Sequence, residues 1–228
     1  MALRDEWRRA RAIAWKDLTT ERRSKAGFNS VVVLAVTILV LFGFALGPDT
    51  QAIRNAAAGE IWLSALFAGV LAFNRSFQLE LDGGALDALI LYPGARRAIF
   101  AGKLLGNFAF VALMLTIVIA VGVVLFQVRV PAEWPSLLAI LFLGCVGLVT
   151  LGTFYAAMAS RSRAREVLLP LLLFPMLVPV LLAAMEGTKA LLGGDIMGDA
   201  GAWARLLAAF DVVFLVATLL AFEFVIEV

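Results

Sequence analysis

Residues 104–127 read LLGNFAFVALMLTIVIAVGVVLFQ, 24 positions without a charged side chain. A helix crosses the hydrocarbon core of a bilayer with about 20 apolar residues. The stretch is too long and too uniformly apolar for an outer-membrane barrel strand, which alternates over short segments. Backbone polar groups cannot stay unpaired in lipid, so a span of this composition is a helix. Working outward, similar runs occupy about 28–46, 58–77, 137–159, 167–185 and 203–225. The expected fold is an all-α integral membrane protein with six transmembrane helices over 28–228, preceded by a charged segment at 1–27.

Composition agrees. Hydrophobic residues make up 63% of the chain on a count that omits 19 glycines, charged residues 16%, and the mean hydropathy is +0.98. A soluble domain is roughly half apolar and about a quarter charged. The balance excludes a soluble enzyme, a disordered chain and a nucleic-acid-binding domain. A net charge of +2 gives no reason to expect a polyanion partner. There is no His, which removes His-ligated metal or haem, Ser-His catalysis and HExxH chemistry. With no paired Glu-Glu motif or Asp-rich prenyl-transfer signature either, an intramembrane enzyme is not expected. The single cysteine, Cys145, reads as a small buried filler.

Fifteen of the nineteen Lys and Arg fall on one side of the six spans. They are the eight of the N-terminal segment, Arg75, Arg96, Arg97 and Lys103 between spans 2 and 3, and Arg161, Arg163 and Arg165 between spans 4 and 5. The positive-inside rule predicts cytoplasmic termini. Trp62, Trp134 and Trp203 fall at the outer ends of spans 2, 4 and 6, as an interfacial belt predicts. In the N-terminal segment Leu3, Trp7, Ala10, Ala14 and Leu18 recur at helical spacing. This predicts an amphipathic helix on the inner membrane surface. No cleavable signal peptide is expected, because the first span has full length and no small-residue cleavage site follows it.

The connection between spans 2 and 3 is the most informative loop. Gly83-Gly84 breaks the preceding helix, Leu86, Leu89 and Ile90 form a short apolar stripe, and Tyr92-Pro93-Gly94 ends it. A helix of about two turns is unstable alone and needs a surface: lipid, the protein's own helices, or a soluble partner. Glu80, Asp82 and Asp87 argue against an anionic leaflet and suit a basic partner. The chain has no GxxxxGK[ST] loop to cradle nucleotide phosphates. Transport driven by ATP therefore requires a separate ATPase.

At these residues the chain resembles the CcmB family, the permease subunit also called haem exporter protein B of bacterial cytochrome c maturation. The resemblance covers the whole chain in length and span pattern. It is sharpest from Gly59-Glu60-Ile61-Trp62 through Arg75-Ser76-Phe77, Glu80, Gly84, Leu86-Asp87, Leu89 and Tyr92-Pro93 to Lys103. The chain departs from the family pattern at Asn74, where an acidic residue is expected, so no salt bridge from position 74 to Arg75 is expected.

The resemblance implies an ABC-2 type exporter arrangement in the bacterial inner membrane, with two copies facing each other and no catalytic residues. It implies a CcmA-like ATPase subunit that binds the ATP, a haem-handling CcmC-like protein, a small single-span CcmD-like protein and a CcmE-like haem chaperone. Haem is then handled by the complex; no residue here is marked as binding it. It also makes Glu80, Gly84, Leu86, Asp87, Leu89, Ile90, Tyr92 and Pro93 a cytoplasmic coupling helix that docks on the ATPase. The alternative is a permease of the same architecture exporting a lipid, glycan or drug. A scaffold that uses ATPase motion only to release a protein complex shares every one of these sequence features.

Within the spans, Ala65 and Gly69, Ala68 and Ala72, and Gly144, Gly147, Gly152 and Ala156 are small residues that permit close helix contact. Span 2 or span 5 is the guess for a dimer interface. Pro170, Pro175 and Pro179 predict a kinked or broken span 5. Asp211 is the intramembrane polar candidate, with Arg205, Lys189 and Arg129 as possible partners and either a path-lining or a structural role. Glu60 reads as a first-turn carboxylate of span 2. Residues 186–202 read as a long outer connection with a short helix or half-dipping segment at Ala190-Leu191-Leu192.

Overall fold

The computed structural model describes residues 2–24, 26–47, 49–82, 96–128, 131, 133–160, 165–195 and 197–227. Among them the chain forms seven helices: α1 (Ala2–Ser24), α2 (Ala26–Ala45), α3 (Thr50–Asp82), α4 (Arg96–Leu125), α5 (Trp134–Ser160), α6 (Arg165–Leu192) and α7 (Ala200–Glu227). All but α1 carry an apolar stretch long enough to cross a membrane, as the six runs predict. Most of α3 and α5 is buried inside the chain, whereas α2, α4 and α7 turn most of their surface outward. The centre is built by α5 packing on α6 and α7, and by α3 packing on α2, α4, α5 and α6.

Small residues let α3 and α5 interlock. A Cβ at Gly144 would collide with the Trp62 ring, and one at Gly152 with Phe73. A Cβ at Gly147 would come within 2.7 Å of Asp211 and Val180. These glycines therefore seat large side chains of the same chain, which closes the protein's own core. Trp62 and Phe73 are both fully buried.

That burial corrects the expected aromatic belt. Trp134 is well exposed and Trp203 half-buried, but Trp62 is a core residue whose Nε1 donates to Thr188 Oγ1 at 3.0 Å. The cause is where α3 begins. Asp49 Oδ1 accepts from the backbone N–H groups of Gln51 (2.9 Å) and Ala52 (3.1 Å), an N-cap that starts the helix well before residue 58. Glu60 accordingly sits about three turns inside α3 instead of in its first turn. Trp62→Phe leaves the Thr188 hydroxyl without its buried donor and is expected to cost about 1–3 kcal/mol, read from thermal unfolding in detergent.

The expected short segment at Ala190-Leu191-Leu192 is also corrected: these residues are the last turn of α6. Nothing breaks the helix before Gly193-Gly194. There Gly194 N–H donates to the Leu191 carbonyl at 3.1 Å and Asp195 N–H to the Ala190 carbonyl at 2.8 Å, the Schellman C-cap. Gly194 takes φ +91°, which a residue without a Cβ adopts readily. Helix α6 runs unbroken through Pro170, Pro175 and Pro179.

Candidate functional site

Helix α3 ends at Asp82 and α4 starts at Arg96, so the two helices bracket the connection that the sequence marks for coupling. Gly84, Leu86, Asp87, Leu89, Ile90, Tyr92 and Pro93 lie outside the described residues, and the coupling-helix expectation lies there with them. Glu80 belongs to the last turn of α3.

The described residues next to that connection form a charged corner. The Lys103 side chain of α4 is 2% exposed, and its Nζ lies 2.9 Å from Asp17 Oδ2 of α1. Nζ also donates to the Ser76 carbonyl of α3 at 3.1 Å and stands 5.4 Å from the centre of the Phe77 ring. Arg75 of α3 brings Nε to 3.3 Å from Glu21 Oε1 of α1. Deeper in, Asn107 Nδ2 donates to Thr153 Oγ1 of α5 at 3.0 Å. A cavity of about 170 Å³ lies among these groups, with Lys16, Thr20 and Phe110 also in its wall.

Close helix approach makes the corner possible. Ala10 and Ala14 of α1 are buried, and α1 packs mainly on α4. A Cβ at Gly102 would stand 2.7 Å from Ile13 Cβ and 2.8 Å from the Ala10 carbonyl. Gly27 lies under the Arg75 guanidinium, where any side chain would collide. Part of the apolar stripe read along α1 thus rests on protein, while Trp7 and Trp15 are exposed. A buried ammonium is tolerable only with its counter-charge and hydrogen bonds in place. Asp17 and Glu21 are therefore integral to this corner. The sequence reading missed both; their signal was two carboxylates at i and i+4 in a helix that carries seven Lys and Arg against four acids.

Among the described residues no group of three or more His, Cys, Asp or Glu is placed to hold a metal. The chemistry of the corner is mechanical: it fastens three helices at one end of the bundle.

Asp211 is elsewhere, buried on α7 against Gly147 of α5 and Val180 of α6. Neither carboxyl oxygen has a hydrogen-bond partner. Two of the three expected cationic partners are engaged elsewhere. Arg205 Nε donates to the Gly201 carbonyl, Lys189 pairs with Glu186 at 3.3 Å, and Arg129 is outside the described residues.

A protein-family model described as "CcmB protein" matches residues 8–228. The chain belongs to the CcmB family. Among curated relatives, the Heme exporter protein B of Rhodobacter capsulatus is 33% identical over 177 residues, covering 77% of this chain and 80% of that protein. The Heme exporter protein B of Paracoccus denitrificans is 31% identical over 179 residues, covering 78% and 82%. That of Bradyrhizobium diazoefficiens is 27% identical over 205 residues, covering 90% and 91%. As a CcmB chain this is a multi-pass inner-membrane permease subunit of the cytochrome c maturation system. CcmB chains are not catalytic, and ATPase activity resides in a separate subunit.

Proposed function

We propose that this CcmB chain couples ATP hydrolysis on a CcmA-like subunit to haem delivery, or to release of a haem-loaded CcmE-like periplasmic chaperone. In this reading both termini and the α3–α4 connection are cytoplasmic. A second copy faces the first in the ABC-2 manner, and CcmC-like and CcmD-like proteins complete the complex. Leu86, Leu89 and Ile90 anchor a coupling helix between Gly84 and Pro93, closed by Tyr92, with Glu80 and Asp87 as its charge complement. The charge census along the chain supports the orientation.

The observation that carries the coupling reading is the charged corner. The Asp17–Lys103 and Glu21–Arg75 pairs fasten α1 to both helices that flank the coupling segment. A push on residues 83–95 then acts on a stiff three-helix unit, which transmits rigid-body motion better than an isolated loop does. The name that the relatives carry, heme exporter, favours haem over a lipid, glycan or drug as the matter handled. We assign no cofactor to this chain. We read Asp211 as a packed structural carboxyl, since Gly147 and Val180 close around it.

The deciding experiment reconstitutes the chain with its ATPase and haem-handling partners and follows haem flux and chaperone release in parallel. Haem crossing the membrane in step with ATP turnover supports delivery. Chaperone release without flux supports the release reading. ATP turnover that drives neither overturns the coupling role.

A further inference from the structure

At the end of the bundle away from α1, two cavities of about 550 and 500 Å³ adjoin, sharing Asn55, Ala58, Glu186 and Lys189 in their walls. The second is a slot between α2 and α6, both of which pack on α3. Its wall is mainly apolar: Phe42 of α2 and Leu46 just after it, Trp62 and Leu63 of α3, and Leu181 and Met185 of α6. Phe42 is 39% exposed, so the slot opens toward the bilayer. Glu60 lies in this apolar wall, only 5% exposed, and its Oε2 has no hydrogen-bond partner. The first cavity is polar and carries both signs, Arg54 and Lys189 facing Glu186, Asp195 and Asp199.

These features define the ligand chemically. An apolar slot open to lipid takes an acyl chain. A buried carboxylate oxygen without a partner is costly and calls for an N–H or O–H donor. Across the two cavities four carboxylates face two cations, so an anionic headgroup is disfavoured, while Arg54 and Lys189, the latter shared with Glu186 at 3.3 Å, offer a place for one phosphate. A zwitterion that carries a phosphate and a primary ammonium satisfies all of these; a choline headgroup has no N–H to give.

We propose that the joined cavities bind one phospholipid of the phosphatidylethanolamine class, with one acyl chain in the α2–α6 slot and the other in the surrounding lipid, its phosphate between Arg54 and Lys189 and its ammonium turned back to donate to Glu60. The site is independent of the coupling role assigned to the other end of the bundle.

The test places the full chain in nanodiscs, with Trp7, Trp15, Trp134 and Trp203 replaced by Phe so that Trp62 in the slot wall is the sole tryptophan, excited selectively over tyrosine. Quenching by bromine-labelled acyl chains then reports occupancy. Brominated phosphatidylethanolamine is expected to bind about tenfold more favourably than brominated phosphatidylcholine, the low end for a hydrogen bond to a charged group. Glu60→Gln should bring that ratio close to one, and Glu60→Asp should restore part of it. Arg54→Gln should weaken both lipids and leave the ratio unchanged. An unshifted Trp62 emission maximum in each variant confirms that the fold is intact. Equal quenching by the two lipids, a preference that survives Glu60→Gln, or a preference for brominated phosphatidylglycerol overturns the proposal.

Discussion

Leu89→Asp is expected to leave the chain inserted in the membrane and to abolish co-purification of the ATPase subunit. Leu89 is the middle member of the Leu86, Leu89, Ile90 stripe, and interface energy concentrates in a few central apolar anchors. Replacing such an anchor by a carboxylate removes the buried contact and buries a charge without a partner. Together these amount to roughly 3 kcal/mol or more, over a hundredfold in affinity. Asp87→Asn serves as the contrast. A charge at the rim acts mainly on the association rate and its salt dependence, so capture should persist with a weaker salt response. Unchanged capture of the ATPase by the Leu89→Asp chain discards the coupling assignment and leaves the family membership standing.

The second large effect lies at the charged corner. Asp17→Ala removes the carboxylate that lies 2.9 Å from the Lys103 ammonium, a group only 2% exposed. Removing one partner of a buried ion pair costs about 3–5 kcal/mol. Replacing both partners by apolar residues of similar volume is far milder. Thermal unfolding in detergent should therefore rank Asp17→Ala well below the wild-type chain, with Asp17→Leu combined with Lys103→Met close to it. If Asp17→Ala and the double variant unfold alike, the pair contributes no fastening. Glu21→Gln should be the weaker lesion, because the Arg75 side chain is about a third exposed and partly solvated.

The contrast between these two sites shows what a single sequence makes legible. The number and type of the spans follow from run length alone, since lipid leaves the backbone no alternative to a helix. Where each helix begins is set by capping, which hydropathy does not register. Asp49 starts α3 early, and that one cap moves Glu60 and Trp62 from an interfacial position into the core. In the same way the double glycine at 193–194, not the fall in hydropathy, ends α6. The stripe around Leu89 is a local pattern that a sequence displays by itself, and it lies outside the described residues. The corner was not readable, because Asp17 and Lys103 become neighbours only when α1 folds back on α4; each looked like an ordinary solvated charge. The small residues of α3 and α5 were recognised as contact surfaces, but only the packed structure shows Trp62 and Phe73 as their occupants.

The order in which the chain leaves the ribosome gives the α1 fastening a consequence for biogenesis. Asp17 and Glu21 precede both of their partners in the chain: Arg75 lies near the end of the second span and Lys103 near the start of the third. The α1 fastening is therefore complete only once the first residues of the third span have been made, Glu21 gaining its partner one span before Asp17 gains Lys103.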